Sequence, residues 1–459
     1  MDLLKVYLWG MNAQEKVVRG PVKAGQIHSS GKVVAEIGGK NYFLDGGIPG
    51  EDILFVSGRR KMGFRTGDIT EIVEPSPFRI HPYCRHHGEC NGCNWQHIDY
   101  SHQLELKRRI LLNALEKYGI EVAEIPAVIP SPSVSHYRHR TEYTFSARNN
   151  AFGFHNGEAG EVSDITECQL QPEPAGSICQ FVREYIRTEN PGLYDHNQKT
   201  GFLRSFSIRI STTGETMVIA GFGEDDPSKR NAFLHALQQN FPVITSINWT
   251  IHESPRHSQM QGTIHSTGKS VPYIFEKAGN LDFRVHAGSF YQPNPAQASV
   301  IFSKVREWAD LTGNELIYDL YTGVGTIALY LAASAMKVIG IEGSAQAIED
   351  ATENARINGI INAEFITGDI LETFRPEFLK KHGNPDVIVL DPPRSGTLIE
   401  IKKTINSSGA AKVIYLSCNP VSLAFDLKQL TEVYRVNRIQ PFDMLPNTHH
   451  LETLVMLKR

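Results

Sequence analysis

The chain has 459 residues, six of them cysteine, with 46 basic against 50 acidic side chains and a formal net charge of −4. That length exceeds one hydrophobic core and implies two to four domains. The charge balance excludes a polycation, no run of about 18 apolar residues permits a membrane span, and no secretory pattern opens the chain, so a monomer in the cytoplasm is expected.

Residues 20–75 alternate short apolar runs with glycine turns, as in "KVVAEIGGKNYFLDGGIPGEDILFVSG". "GGK" and "DGG" between β-rich segments are hairpin signals and predict a small all-β barrel over 1–75. Within it "GRRKMGFR", Gly58 to Arg65, interleaves Phe64 with cations; further on "HYRHR", His136 to Arg140, is a second basic patch. Both are candidate RNA contacts. "EPSPFRIHPYC" is a proline-rich boundary.

"CRHHGECNGC" then places Cys84, Cys90 and Cys93 at C-x5-C-x2-C spacing. Three crowded thiols in a reducing compartment indicate a metal or cluster site rather than disulfides, and zinc and iron–sulfur both suit thiolates. The fourth ligand is open between Cys168, Cys179 and nearby histidines. "YSHQLELKRRILLNALEKYGI" has helical periodicity and stops at Gly119. Strand-like runs with one helix near "AGSICQFVREYIR" predict an α+β central domain over 76–285.

From about residue 315 the pattern changes to strand, glycine turn and helix in repetition, which predicts a doubly wound parallel α/β sheet over 286–459. Ligands bind such sheets beyond the carboxyl ends of the strands. "DLYTGVGT" supplies Gly323 and Gly325, the next strand ends in Glu342 to bond a ribose, and the third carries Asp369. With no P-loop lysine, this set indicates S-adenosylmethionine. "DPPR" aims Asp391 from a stiff turn, with Arg394 where amino-nitrogen methyltransferases place an aromatic.

"LSCNP" puts Cys418 at another strand tip, and "HHLETLVMLKR" puts Glu452 ahead of the last strand. The C5 of uracil is too weak a nucleophile to attack a methyl sulfonium directly. A thiolate adding at C6 activates it, and the reaction then needs a partner for the pyrimidine edge and a base for the C5 proton. Cys418, Asp391 and Glu452 match those three roles.

The barrel, "CRHHGECNGCNWQHIDYSHQLELKR", "YRHRTEYTF", "FGFHNGEAGEVSDITECQL", "SFYQPNPAQA", "DLYTGVGT", "DPPRSG", "LSCNP" and "HHLETL" together resemble the RNA uracil-5-methyltransferases of ribosomal and transfer RNA. The resemblance implies an N-terminal RNA-binding domain of the TRAM kind. It implies a [4Fe–4S] cluster on Cys84, Cys90, Cys93 and Cys168, with Cys179 an ordinary cysteine. It implies that Gln292, Tyr321, Glu342 and Asp391 meet S-adenosylmethionine, to which we add Asp369. Helix 101–119 is expected to pack on the catalytic domain. The chain departs from the family at Asn91, Pro293, Thr326 and Asp369. The cluster and barrel favour 23S ribosomal RNA over transfer RNA. Competing readings are an amino-nitrogen methyltransferase, which needs neither Cys418 nor Glu452, and an RNA-binding iron–sulfur protein without catalysis.

Overall fold

The structure, a computed structural model, describes residues 18–61, 63–156, 161–252, 262–268 and 270–459, without the side chains of Arg59 and Lys61. It divides into two compact units, one running to His81 with His97–Asp99, the other comprising Pro82–Gln96 and Tyr100–Arg459.

In the first unit, β1 (Val18–Lys23), β2 (Val33–Ile37), β3 (Lys40–Leu44), β4 (Asp52–Lys61) and β5 (Phe64–Glu74) form one sheet in the order β1-β4-β5-β3-β2. Val33, Ala35, Tyr42, Leu44, Ile53 and Phe55 alternate inward and are buried, the period-2 pattern of a half-buried strand. The chain leaving β1 crosses to β2, Gly25 N donating to Val34 O (2.8 Å) and Val34 N to Gln26 O (3.0 Å). The chain just after β1 thus covers part of the β2 edge. Gly67 on β5 leaves no room for a side chain, since a Cβ there would lie 2.7 Å from Phe55 and 2.9 Å from Leu44.

The second unit holds two seven-stranded sheets. After the cysteine loop comes α1 (Tyr100–Tyr118). The first sheet contains β6 (Arg140–Ser146), β7 (Ala151–His155), β8 (Val162–Asp164), β9 (Leu203–Ile210), β10 (Thr216–Phe222), β11 (Ile244–Ile251) and β12 (His265–Ser266), in the order β12-β11-β10-β9-β6-β7-β8. Against it pack α2 (Ala175–Glu189) and α3 (Pro227–Asn240), through Ile178, Val182, Phe233 and Leu237. A hairpin, β13 (Tyr273–Ala278) and β14 (Leu281–His286), leads through α4 (Pro295–Ala309) to the second sheet.

That sheet begins with β15 (Leu316–Leu320), α5 (Thr326–Ala332), β16 (Lys337–Glu342), α6 (Ala345–Ile357) and β17 (Ala363–Thr367). It continues through α7 (Ile370–Thr373), α8 (Pro376–His382), β18 (Val387–Leu390), α9 (Ile399–Ser407), β19 (Lys412–Ser417) and α10 (Pro420–Leu430), then β20 (Arg435–Phe442) and β21 (Glu452–Lys458). Its order is β17-β16-β15-β18-β19-β21-β20. The first five strands run parallel, and β21 is antiparallel to both its neighbours. Every residue of β18 is buried because helices cover both faces. Leu111, Ala114 and Leu115 of α1 share one core with Tyr318, Leu423 and Leu427, so α1 lies on this sheet. The strand order reverses between β15 and β18, where such sheets bind ligands. Among the described residues, no helix is long and apolar enough to cross a membrane.

Candidate active site

The loop from β15 to α5 is bent sharply: Tyr321, Gly323 and Gly325 have φ of 67°, 56° and 83°. At Gly325 a Cβ would stand 3.0 Å from Phe365 and 3.1 Å from Ala351, whereas at Gly323 it would meet nothing within 4 Å. Gly325 therefore serves packing, and Gly323 leaves backbone open to a ligand. Thr326 opens α5. Glu342, at the tip of β16, accepts from Gly323 N (3.3 Å) and Ser344 N (2.9 Å). Asp369 is exposed and caps α7, accepting from Leu371 N (2.8 Å) and Glu372 N (3.3 Å). The Tyr321 hydroxyl meets Thr397 Oγ1 at 3.0 Å.

Asp319, one residue before the tip of β15, is a site residue that sequence reasoning misses, although it opens the glycine motif. Only 1 % exposed, it accepts from Thr322 Oγ1 (2.6 Å) and Ala328 N (3.1 Å) through Oδ2. Its Oδ1 is buried with no hydrogen-bond partner. Burial pushes its carboxyl up to about 7, against those two hydrogen bonds. Asp391, just past β18, is likewise pushed up to about 7 by burial and then by Asp319; Gln292 Nε2 lies 3.4 Å from its Oδ2. Two acids on neighbouring strands, both pushed up by burial and one with an unpartnered oxygen, call for a cationic ligand.

Cys418 follows β19 directly. β19 and β21 pair Ser417 with Thr453, and extending that register one residue sets Cys418 beside Glu452. Asn419 caps α10, its Oδ1 accepting from Val421 N (3.1 Å) while its Nδ2 donates to Arg394 O (2.9 Å). Burial, then Glu452 and Asp391, push the Cys418 thiol up to about 12, with Arg394 pulling the other way. Burial and Asp391 hold Glu452 well above the carboxylate range, again opposed by Arg394. Arg394 Nη2 donates to His450 Nδ1 (2.7 Å). Since a guanidinium only donates, Nδ1 carries a lone pair and the ring is neutral; burial takes His450 down to about 3. The structure thus brings Cys418 and Glu452 within reach of both Asp391 and Arg394.

Two aromatics beside Gln292 are candidates to hold a flipped base, and they separate in the fold. Phe290 is 64 % exposed; Tyr291 is core, packed with Phe283 and Val324, and does not serve that role. "HYRHR" is only partly solvated: His136 is exposed and Arg138, His139 and Arg140 are half-buried. Tyr137 is buried, Arg138 lines the cysteine cavity, and burial holds Arg140 below the usual guanidinium range. In "GRRKMGFR", Arg60 is exposed, while Met62 and the side chains of Arg59 and Lys61 lie outside the described residues, as do residues 157–160 of the "FGFHNGEAG" motif.

Cys84, Cys90, Cys93 and Cys168 line one cavity of about 340 Å³. Cys179 does not line it and sits in the core on α2. Gln96 Oε1 accepts from Cys84 N (3.1 Å), His87 Nδ1 lies 3.1 Å from Cys93 O, and His86 Nε2 lies 2.9 Å from Thr166 Oγ1, which ties the two cysteine segments together. Burial and the neighbouring cysteines push the Cys93 thiol up to about 12. Among the described residues, no three Cys, His, Asp or Glu side chains gather as a single metal ion requires.

The model of the tRNA (uracil-5-)-methyltransferase family matches residues 276–459. An uncharacterized RNA methyltransferase of Porphyromonas gingivalis is 36% identical, over 94% of this chain and 98% of that one. Another, of Bacteroides thetaiotaomicron, is 36% identical over 94% and 99%. Among solved structures, the crystal structure of Pyrococcus abyssi tRNA (uracil-54, C5)-methyltransferase in complex with S-adenosyl-L-homocysteine superposes with a TM-score of 0.75 at 28% identity, covering 95% of this chain and 99% of that one.

Proposed function

The chain belongs to the RNA uracil-5-methyltransferases, and on that premise we propose that it methylates C5 of one uridine in RNA through a covalent bond between Cys418 and C6. The observation that carries this is the convergence of Cys418, Glu452 and Asp391 at adjoining strand tips. S-adenosylmethionine, when bound, would supply the methyl group, its sulfur keeping the electron pair of the broken S–CH3 bond as S-adenosylhomocysteine. Gln292, Tyr321, Glu342, Asp369 and Asp391 would hold it, and the unpartnered Asp319 Oδ1 suits its cationic end.

Cys418 releases its proton to solvent, helped by Arg394 and the positive end of α10, and its sulfur adds to C6. The C5–C6 electron pair shifts toward C5 and O4. Asp391, which holds a proton near neutral pH, donates to O4 as charge develops there. C5 then bonds the methyl. Glu452 takes the C5 proton in its ionised form, which burial and Asp391 disfavour and Arg394 favours; that electron pair restores C5=C6 and expels the Cys418 thiolate. Cys418→Ala is expected to abolish methylation and form no adduct. Glu452→Gln is expected to methylate but to accumulate a denaturation-resistant protein–RNA complex, as wild type should on 5-fluorouracil-containing RNA. Near-normal methylation by Cys418→Ala, or no cross-link to the fluorinated RNA, overturns the covalent route. The same result would revive an amino-nitrogen methyltransferase.

We assign residues 1–75 as the TRAM-like RNA-binding barrel, 76–285 as the cysteine-bearing α+β domain and 286–459 as the catalytic domain, in a monomer of the cytoplasm. Cys84, Cys90, Cys93 and Cys168 would hold a [4Fe–4S] cluster with a structural role. In support, the half-buried Cys93 and Cys168 are each disfavoured as thiolates by burial and by neighbouring cysteines, and a cationic core relieves that repulsion. All four also line one cavity. Barrel and cysteine segment together favour 23S ribosomal RNA as the target. Transfer RNA is the second reading, because the transfer-RNA enzyme of Pyrococcus abyssi is covered along 99% of its chain. Mapping 5-methyluridine in total RNA of a deletion strain separates the two.

A further inference from the structure

Between β20 and β21 the chain forms a strap, residues 443–451, that ends directly at Glu452. This strap is held by α1, by residues 129–137, by Asn294 and Arg394, and by the segment around the cysteines. Lys107 of α1, fully buried, donates to Asp443 Oδ1 (2.5 Å) and Leu445 O (3.1 Å). The Tyr137 hydroxyl donates to Pro446 O (3.0 Å), and Asn94 Nδ2 lies 3.1 Å from His449 Nδ1.

Asn447 is at the centre. It is buried and left-handed, with φ of 65°, a conformation Asn tolerates but that persists only where the surroundings enforce it. They do so from several directions. Its backbone N donates to Gln103 Oε1 (2.9 Å), and its carbonyl accepts from Trp95 N (2.9 Å). Its Oδ1 accepts from Gln103 Nε2 (3.3 Å), and its Nδ2 donates to the Tyr83 hydroxyl and to Val134 O, both at 3.0 Å. Tyr83 precedes Cys84, and Asn94 and Trp95 follow Cys93. Cys418 is held differently. The hydrogen bonds beside it join Asn419 to Ser417, the last residue of β19, and to the Arg394 carbonyl, all within the catalytic sheet and its loops.

We infer that Asn447 is a positioning residue through which the cysteine segment holds the Glu452 strand, so that this brace acts on removal of the C5 proton and not on attack by Cys418. The inference rests on the covalent reading above. It also gives the cysteine segment a task within the catalytic cycle, carried out entirely by hydrogen bonds to the strap.

The test is a single turnover of the full chain with RNA and methyl-labelled S-adenosylmethionine, following label transfer and decay of the denaturation-resistant adduct separately. Asn447→Gly removes the side chain while suiting the left-handed backbone. Tyr83→Phe removes one hydroxyl and keeps the ring. For Asn447→Gly, methyl transfer should stay within about twofold of wild type while adduct decay slows by about tenfold or more. Tyr83→Phe should shift decay in the same direction by less. Unchanged adduct decay, or transfer and decay slowed in equal proportion as general loosening would cause, overturns the inference. Glu452→Gln is the reference. If it traps adduct while Asn447→Gly and Tyr83→Phe do not, the brace alone is wrong; if it traps none, the covalent reading fails and the brace with it.

Discussion

Asp319 and Asp391 occupy adjacent strand tips, and neither is ion-paired among the described residues. An acid whose pKa rises on folding binds protons more tightly in the native state, so stability falls as pH climbs from the unfolded value toward the folded one. Here that window runs from about 4 up to about 7. The native protein therefore carries a penalty at pH 8 that is absent at pH 4. Asp319→Asn keeps an acceptor for Thr322 and Ala328 and removes the charge. Without ligand it should unfold later than wild type at pH 8, by up to about 4 kcal/mol, because a tenfold change in proton affinity corresponds to about 1.36 kcal/mol. The gap should close toward pH 4. Its S-adenosylmethionine affinity should fall at the same time. Denaturant melts at several pH values and calorimetric titration check both halves, and an unchanged affinity would remove Asp319 from the ligand site.

At the scale of elements, the β4–β5 hairpin sets Arg60 opposite Arg65 and Lys61 opposite Phe64. Like charges across a strand pair cost stability, which makes sense where an anion neutralises them. Phe64, 47 % exposed, packs edge-on against Phe43 with ring centroids 4.8 Å apart, and His28 lies 4.9 Å from Phe43. Rings beside cations suit unpaired bases and phosphates. Replacing Arg59, Arg60 and Lys61 with Ala should weaken RNA binding and flatten its salt dependence, by about one unit of slope per lost phosphate contact, while leaving S-adenosylmethionine binding intact. A salt slope equal to wild type would show these charges to be merely solvated. The strap of residues 443–451 shows the same principle in the interior: an element without regular structure is held by partners more than 300 residues away in sequence, such as Lys107 and Asp443.

For the whole molecule, four cysteines from two distant segments line one cavity, while α1, which follows the first of them, packs on the catalytic sheet. Protein purified without oxygen should be brown, with about four irons per chain, as a cubane on four thiolates requires. A colourless protein with one zinc would overturn the assignment. Chelating the metal should speed hydrogen exchange across residues 443–451 more than across β19, since the cysteine segment grips the first and not the second.

How much of this is legible in the sequence depends on how local the physics is. The alternation of apolar strands, glycine turns and helices after residue 315 is a local pattern, and it is enough for the doubly wound sheet and for placing Glu342, Asp391 and Cys418 at its tips. The "GGK" signal does join β2 to β3 as a hairpin, but "DGG" does not join β3 to β4, because β3 pairs with β2 and β5 instead. The hairpin β13–β14, α4 and the antiparallel insertion of β21 between β19 and β20 are not foreseen, because strand order is set by long-range pairing that leaves no local trace. Sequence also exposes the chemistry of Cys418 and Glu452, but their adjacency exists only through the β19–β21 register. Asp319 escapes notice because its meaning lies in burial and an unpartnered oxygen. The half-burial of "HYRHR" is invisible for the same reason, since a basic string looks alike at any degree of solvation. Composition and spacing determine which groups are present; only the tertiary fold decides which of them lose water, and so which become acids, bases, ligands or mere packing.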